Sequence, residues 1–175
     1  MMRSVKVIES SRIYSGGINL RKDKFSLNGK IVDKEIVGHP NSVGIVAVRG
    51  SRVILITQYR HAANKMLLEI PAGKIEKDET PRQAAVREMA EEIGCSGTLR
   101  PLLKWYLAPG YSTELMHIFV ATNLREIARG LLDSDENIEI KEMRLSAAIG
   151  KCINGNIEDA KTIAALLAYY YSQSS

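Results

Sequence analysis

The sequence predicts an α+β protein in which a mixed β-sheet is flanked by helices and preceded by a small antiparallel β domain. Three observations carry this expectation. The first 42 residues alternate short apolar and charged runs with turn residues. A continuous apolar run, Val43-Gly44-Ile45-Val46-Ala47-Val48, has the composition of a strand buried on both faces. A well-capped helix pattern from about Thr80 to Ile93 then falls between strand-like runs, as in a sheet covered by helices.

In the N-terminal stretch, Val5–Ile8 alternates and Ser15-Gly16-Gly17 signals a turn. Asn28-Gly29 joins Ile18–Leu27 to Lys30–Val37 as a hairpin. Strands with this little apolar content cannot bury a core alone. Residues 1–42 must therefore pack on the rest of the chain or on another copy of it. His39-Pro40-Asn41 marks the boundary with residues 43–175. Ser42–Val48 and Val53–Tyr59 read as strands around Gly50-Ser51, and a short strand at Leu67–Ile70 stops at Pro71. Thr80 is an N-cap, Pro81 suits N1 and Gln83 completes a capping box, while Gly94 supplies the C-terminal stop. Thr98–Leu107 and Leu115–Ala121 follow as strands on either side of Pro109-Gly110. Residues 122–136 read as polar and irregular, Ile138–Leu145 as a strand, and Ser146–Asn154 and Glu158–Tyr171 as two closing helices.

Composition narrows the function. With 175 residues, 45% hydrophobic and 25% charged, the chain suits an ordinary globular fold and excludes disordered or fibrous classes. Two cysteines, Cys95 and Cys152, are too few for a disulfide scaffold or a CxxC zinc site. No apolar run approaches the roughly 20 residues that span a bilayer, so no membrane association is expected. No apolar leader-like segment follows Met1, so a cytoplasmic location is expected. The net charge of +4 is unevenly spread: residues 1–68 hold 12 basic and 4 acidic side chains, whereas residues 69–95 hold 4 and 7. Arg49, Arg52, Arg60 and Lys65 are scattered, with only Tyr59 as an interleaved aromatic, so no nucleic-acid partner is expected.

The chemistry concentrates on the capped helix. In Arg87-Glu88-Met89-Ala90-Glu91-Glu92, the spacings i,i+4 and i,i+3 put three carboxylates on one side. Like charges there cost a few tenths of a kcal/mol per pair, which either solvent offsets on an exposed acidic face or a bound cation offsets at a site. Carboxylate and carbonyl oxygens suit a divalent cation that shares its shell with substrate phosphates. Just upstream, Glu69-Ile70-Pro71-Ala72-Gly73-Lys74 offers a tight turn whose Ala72 carbonyl could face the helix, with Gly73 permitting close approach. Glu79 and Arg87, near the two ends of this loop–helix unit, could form an ion pair that locks it.

This string resembles the signature of the Nudix hydrolases, GX5EX7REUXEEXGU, where U is a bulky aliphatic residue. Gly73, Glu79, Arg87, Glu88, Glu91, Glu92 and Gly94 fill every fixed position over 23 residues, and Met89 fills the first U. Cys95 fills the last U, a departure that a small buried hydrophobe tolerates. Gln58-Tyr59-Arg60, Leu68-Glu69-Ile70-Pro71-Ala72-Gly73 and the loop Ala108-Pro109-Gly110-Tyr111-Ser112-Thr113-Glu114 further resemble the ADP-ribose pyrophosphatase subfamily.

The resemblance implies a Nudix fold, an α-β-α sandwich, with residues 1–42 serving as a β-strand dimerisation segment of a homodimer and residues 43–175 as the hydrolase domain. It implies an enzyme that cleaves the diphosphate of ADP-ribose to AMP and ribose 5-phosphate, or of another nucleoside diphosphate derivative such as GDP-mannose, NADH or a diadenosine polyphosphate. A catalytically inactive nucleotide- or RNA-binding module is the remaining reading; such modules typically lose carboxylates of the signature, and this chain keeps them all. Glu88 and Glu92 would ligate Mg²⁺, with Mn²⁺ able to replace it, helped by Glu91 and the Ala72 carbonyl. Arg87 would orient Glu79 or a neighbouring carboxylate. Arg60 would bind the diphosphate, and Glu69, Pro109 and Glu114 would also serve substrate binding. The general base would be Glu136, on an acidic loop late in the chain, with Glu139 or Glu91 as the alternatives. Neither Tyr14 nor Phe25 is assigned to base stacking, and packing in a core or dimer is their expected role. The Tyr169-Tyr170-Tyr171 run is expected to cover the core with a helix end.

Overall fold

The computed structural model describes residues 5–128 and 138–173. They divide into two units. The first comprises Met1–Asn41 with Trp105–Leu115. Its strands β1 (Lys6–Ser15), β2 (Asn19–Leu27) and β3 (Lys30–Gly38) form an antiparallel sheet in the order β1-β2-β3. Leu27 faces Lys30 across Asn28 (φ 56°) and Gly29 (φ 77°), the two left-handed positions that a two-residue hairpin turn requires. Every residue of β1 is exposed and none of β2 or β3 is fully buried, as expected of strands too polar to enclose a core. The 105–115 segment is tied to this sheet through Val37. Its N–H donates to the Tyr111 carbonyl at 2.7 Å, and its carbonyl accepts from the Thr113 N–H at 3.0 Å.

The second unit comprises Ser42–Lys104 and Met116–Ser175. Its strands are β4 (Ser42–Arg49), β5 (Arg52–Arg60), β6 (Lys65–Glu69), β7 (Ala72–Lys74), β8 (Cys95–Tyr106), β9 (Leu115–Glu126) and β10 (Ile138–Arg144), the ends of β8 and β9 reaching into residues of the first unit. They form a mixed sheet in the order β10-β5-β4-β9-β8, with β6 on β5 and β7 on β4; β4 and β9 run parallel. Ser42–Val48 is buried throughout, as its unbroken apolar composition predicts. Strand alternation sends Val43, Ile45 and Ala47 into one apolar cluster with Ala84, Ala85, Met89 and Ile93 of helix α1 (Pro81–Ile93). Val46 and Val48 face the other way and are also buried. Helices α2 (Leu145–Ile153) and α3 (Ala160–Ser172) pack on β5 and β4. Each such Val or Ile contributes about 1.5–3 kcal/mol on burial. The middle sheet is the expected mixed sheet flanked by helices, and the small N-terminal antiparallel sheet is also as expected.

Helix α1 carries its predicted capping box. The Gln83 N–H donates to Thr80 Oγ1 at 3.3 Å and the Thr80 N–H donates to Gln83 Oε1 at 2.9 Å. Gly94 ends the helix at φ 59°. Four expectations need correction. Strand β9 continues to Glu126 through residues read as irregular. Its extension is mostly exposed, so it lacks the apolar alternation that marks a strand, and residues 129–136 of that stretch lie outside the described residues. Ala72–Lys74, read as a turn, is a short strand paired to Ser42–Gly44. Helix α3 starts at Ala160 because Asp159 is its N-cap, accepting from the Thr162 N–H at 2.9 Å. Of the tyrosine run only Tyr169 is buried; Tyr170 and Tyr171 face solvent. Tyr14 is also exposed, which removes it from any core of this chain. Among the described residues no helix is long and apolar enough to cross a membrane.

Candidate active site

The loop–helix unit is assembled by backbone pairing before any side chain acts. Strand β7 is hydrogen-bonded to β4, and this carries Ala72 and Gly73 up against α1. The Ala72 N–H donates to Glu92 Oε2 at 2.8 Å, so the fully buried Glu92 carboxylate lies directly against the loop. Gly73 is closer still to Glu88. A Cβ on residue 73 would stand 1.8 Å from Glu88 Oε1 and 2.0 Å from its carboxyl carbon. The Glu88 carboxylate occupies the space that any other residue at 73 would fill.

Arg87 organises the acidic residues. Its Nε and Nη2 donate to the two oxygens of Glu79, each at 3.0 Å, in a bidentate fork. Its Nη1 donates to Glu88 Oε1 at 2.8 Å and to Glu91 Oε2 at 3.0 Å, and Nη2 also reaches the Lys74 carbonyl at 2.9 Å. The loop-locking ion pair between Glu79 and Arg87 is therefore present. The contacts with Glu88 and Glu91 in part compensate the like-charge crowding on α1. The Arg87 hydrogen bonds hold the Glu79 carboxyl below its ordinary value, and the Glu76 N–H, 3.0 Å from Glu79 Oε2, adds to this. The same fork to Glu79 pushes the Arg87 guanidinium further up, so it stays charged at any accessible pH.

Arg60 ends β5 and Glu69 ends β6. The guanidinium grips Glu69 bidentately, Nε to Oε1 at 2.8 Å and Nη2 to Oε2 at 2.7 Å. Burial pushes the Glu69 carboxyl up, but Arg60 and Lys161 more than offset it and leave it below the usual range. Arg60 is itself raised by the Glu69 hydrogen bond and feels the charges of Asp159 and Glu92, which links it electrostatically to one carboxylate of α1. Lys161, Asp159 and Thr162 of the α3 N-terminal turn are absent from the sequence expectations. Lys161 Nζ donates to Glu69 Oε2 and to Asp159 Oδ1, and Thr162 Oγ1 accepts the Ile70 N–H at 2.8 Å. No local spacing signals these contacts, because Lys161 and Glu69 are 92 residues apart.

The second unit thus joins Glu79, Glu88 and Glu91 through Arg87, Ala72 with Glu92, and Arg60 with Glu69. Glu139 is an exposed residue of β10 paired with Lys141. Glu136 lies outside the described residues. Pro109 and Glu114 belong to the first unit, where Glu114 stands 3.4 Å from His39 Nδ1. Among the described residues no group of three or more His, Cys, Asp or Glu has its donor atoms already gathered around one point. The donor set nevertheless fits a hard divalent cation. It offers only oxygens, from three carboxylates along one helix side, and Gly73 leaves room for the Glu88 carboxylate. A carboxylate accepts along about four lone-pair directions, so Arg87 and a cation can share the same groups.

The NUDIX domain family model matches residues 38–166. A methanol dehydrogenase activator of Bacillus methanolicus is 37% identical over 168 residues, covering 92% of this chain and 90% of that protein. An ADP-ribose pyrophosphatase of Bacillus subtilis is 36% identical over 166 residues, again covering 92% and 90%. A crystal structure of an ADP compounds hydrolase superposes with a TM-score of 0.88 over 99% of this chain and 96% of that one, at 22% identity, and it shares the fold. With its signature network intact and the family model spanning most of its length, this chain belongs to the NUDIX family.

Proposed function

We propose that this Nudix hydrolase cleaves the diphosphate bond of ADP-ribose, giving AMP and ribose 5-phosphate. The observation that carries the proposal is the arrangement in which Arg87 bonds Glu79, Glu88 and Glu91, Glu92 accepts from the Ala72 N–H, and Gly73 leaves room for the Glu88 carboxylate. Nudix hydrolases generally use divalent cations, and Mg²⁺, replaceable by Mn²⁺, is the metal proposed here. Glu88 and Glu92, helped by Glu91 and the Ala72 carbonyl, would hold it. When bound it neutralises diphosphate charge and makes a water molecule more acidic.

The chain's own residues do the rest. Arg87 keeps Glu88 and Glu91 aligned while its fork to Glu79 holds the loop closed on the helix. Arg60 binds the diphosphate through its guanidinium, a group suited to bidentate phosphate contacts. Glu69 fixes the orientation of Arg60, and Pro109 and Glu114 contribute to substrate binding. Glu136 takes the proton from the attacking water, with Glu139 and Glu91 as the alternative bases. Water adds to one phosphorus as the bridging oxygen leaves with the other, so each product keeps one phosphate.

Residues 1–42 are proposed to form the dimerisation segment. Val7, Ile8, Ile13 and Tyr14 of β1 are more than half exposed, an apolar surface that a second copy of the chain would cover. A cytoplasmic location accords with Cys95 and Cys152, both buried free thiols. A panel of ADP-ribose, GDP-mannose, NADH and diadenosine polyphosphate with Mg²⁺ tests the substrate. The highest kcat/KM is expected for ADP-ribose. Preference for another member of the panel would transfer the assignment to that substrate, and failure on all four would favour a binding module.

A further inference from the structure

Lys161 is placed where three physical effects oppose it. It occupies the first turn of α3, where the helix dipole disfavours a cation. It is only 9% exposed, and burying an ammonium group is costly unless it is paired. Its long side chain also loses rotamer freedom. Helix formation alone would be served better by a neutral or acidic residue. What offsets these costs is the carboxylate of Glu69, whose side chain is 1% exposed, together with Asp159.

Glu69 is the shared element. Its Oε1 receives Arg60 Nε, and its Oε2 receives both Arg60 Nη2 and Lys161 Nζ. Two further bonds fix the turn that delivers Lys161. Asp159 caps α3 through the Thr162 N–H, and Thr162 Oγ1 receives the Ile70 N–H beside Glu69. The α3 turn, the end of β6 and the Arg60 side chain are thereby joined through one buried carboxylate. Without Lys161 that carboxylate has a single cationic partner among these contacts and can rotate about its last bond, taking the plane of the Arg60 fork with it.

We propose that Lys161 is a positioning residue: it pins the Glu69 carboxylate, and the pinned carboxylate holds Arg60 in the orientation that binds the substrate diphosphate. This rests on the diphosphate-binding role proposed above for Arg60.

The test is a double-mutant cycle on the full-length chain with Mg²⁺, using Lys161→Met, Arg60→Gln and the double variant. Hydrolysis of ADP-ribose by the unaltered protein and an increase in KM in Arg60→Gln test the underlying reading separately. In Lys161→Met, KM is expected to rise about tenfold, with kcat changed less than about threefold. In the Arg60→Gln background the same substitution is expected to leave KM unchanged within about twofold, because the residue through which it acts is gone. Lys161→Arg, which keeps the charge, is expected to recover part of the lost KM. Thermal melts separate folding from positioning. Should Lys161→Met not fold, Lys161→Gln enters the same cycle. An equal KM increase with and without Arg60, or a loss of thermal stability with unaltered KM, would overturn the proposal.

Discussion

Replacing Gly73 by alanine tests whether the loop–helix contact sets the geometry of the carboxylates. An added Cβ would lie 1.8 Å from Glu88 Oε1, whereas ordinary contact begins near 3.4 Å. The carboxylate must therefore retreat by about 1.6 Å, the difference between those two distances, or β7 must lift from β4. The carboxylate is the end of a flexible side chain, so the fold survives. Its bond to Arg87 at 2.8 Å does not survive unchanged. A partly exposed ion pair of this kind contributes about 1 kcal/mol or less to stability. A misplacement of about 1 Å at a reacting centre costs about 100-fold in rate. Gly73→Ala is therefore expected to lose at least about 100-fold in kcat while melting within a few degrees of the unaltered protein. The assay is AMP release from ADP-ribose at saturating Mg²⁺, with a Mg²⁺ titration and a thermal melt on the same preparation. Activity within about threefold of the unaltered protein would refute the reasoning that residue 73 must lack a side chain for the carboxylate to sit correctly.

Other substitutions probe separate parts of the molecule. Gly150 lies inside α2 with nothing within 4 Å of an added Cβ, so Gly150→Ala should stabilise the fold by about 0.5–1 kcal/mol and raise Tm without altering kinetics. Glu79 titrates below the ordinary glutamate value of 4.5, so its ionised form favours the folded state above that pH and the contribution fades as pH falls through the lowered value. Glu79→Gln should therefore melt lower than the unaltered protein near pH 7, and the gap should close in acid melts below about pH 4.5. Glu136→Gln should lower kcat by about 10²- to 10⁴-fold with an unchanged melt. Near-normal turnover in that variant would direct the search for the base to Glu139 or Glu91. Light scattering should give twice the 19.4 kDa chain mass, and a monomer would remove the dimerisation role of residues 1–42.

Local chemistry was the readable part of this fold. The Asn28-Gly29 hairpin, the Thr80–Gln83 capping box, the Gly94 stop and the buried run at 42–48 each follow from a few adjacent residues, and each is found in the structure. The Glu79–Arg87 pair was also legible, since both residues lie on one short loop–helix unit. What escaped depends on distant chain. Lys161 meets Glu69 only because α3 packs against the β4 region, and no spacing records that. The polar continuation of β9 pairs as a strand although its side chains face solvent, so periodicity is silent there. The compensation of the acidic helix was legible only in part. The sequence pointed to a metal, and in the structure Arg87, one residue before the first of those carboxylates, also bonds two of them.

The most direct test of the central claim is product analysis of ADP-ribose incubated with the protein and Mg²⁺, beside a parallel sample containing excess chelator. Equimolar AMP and ribose 5-phosphate are expected in the first sample and neither in the second. Intact ADP-ribose in both, under conditions where another nucleoside diphosphate derivative is cleaved, would contradict the claim.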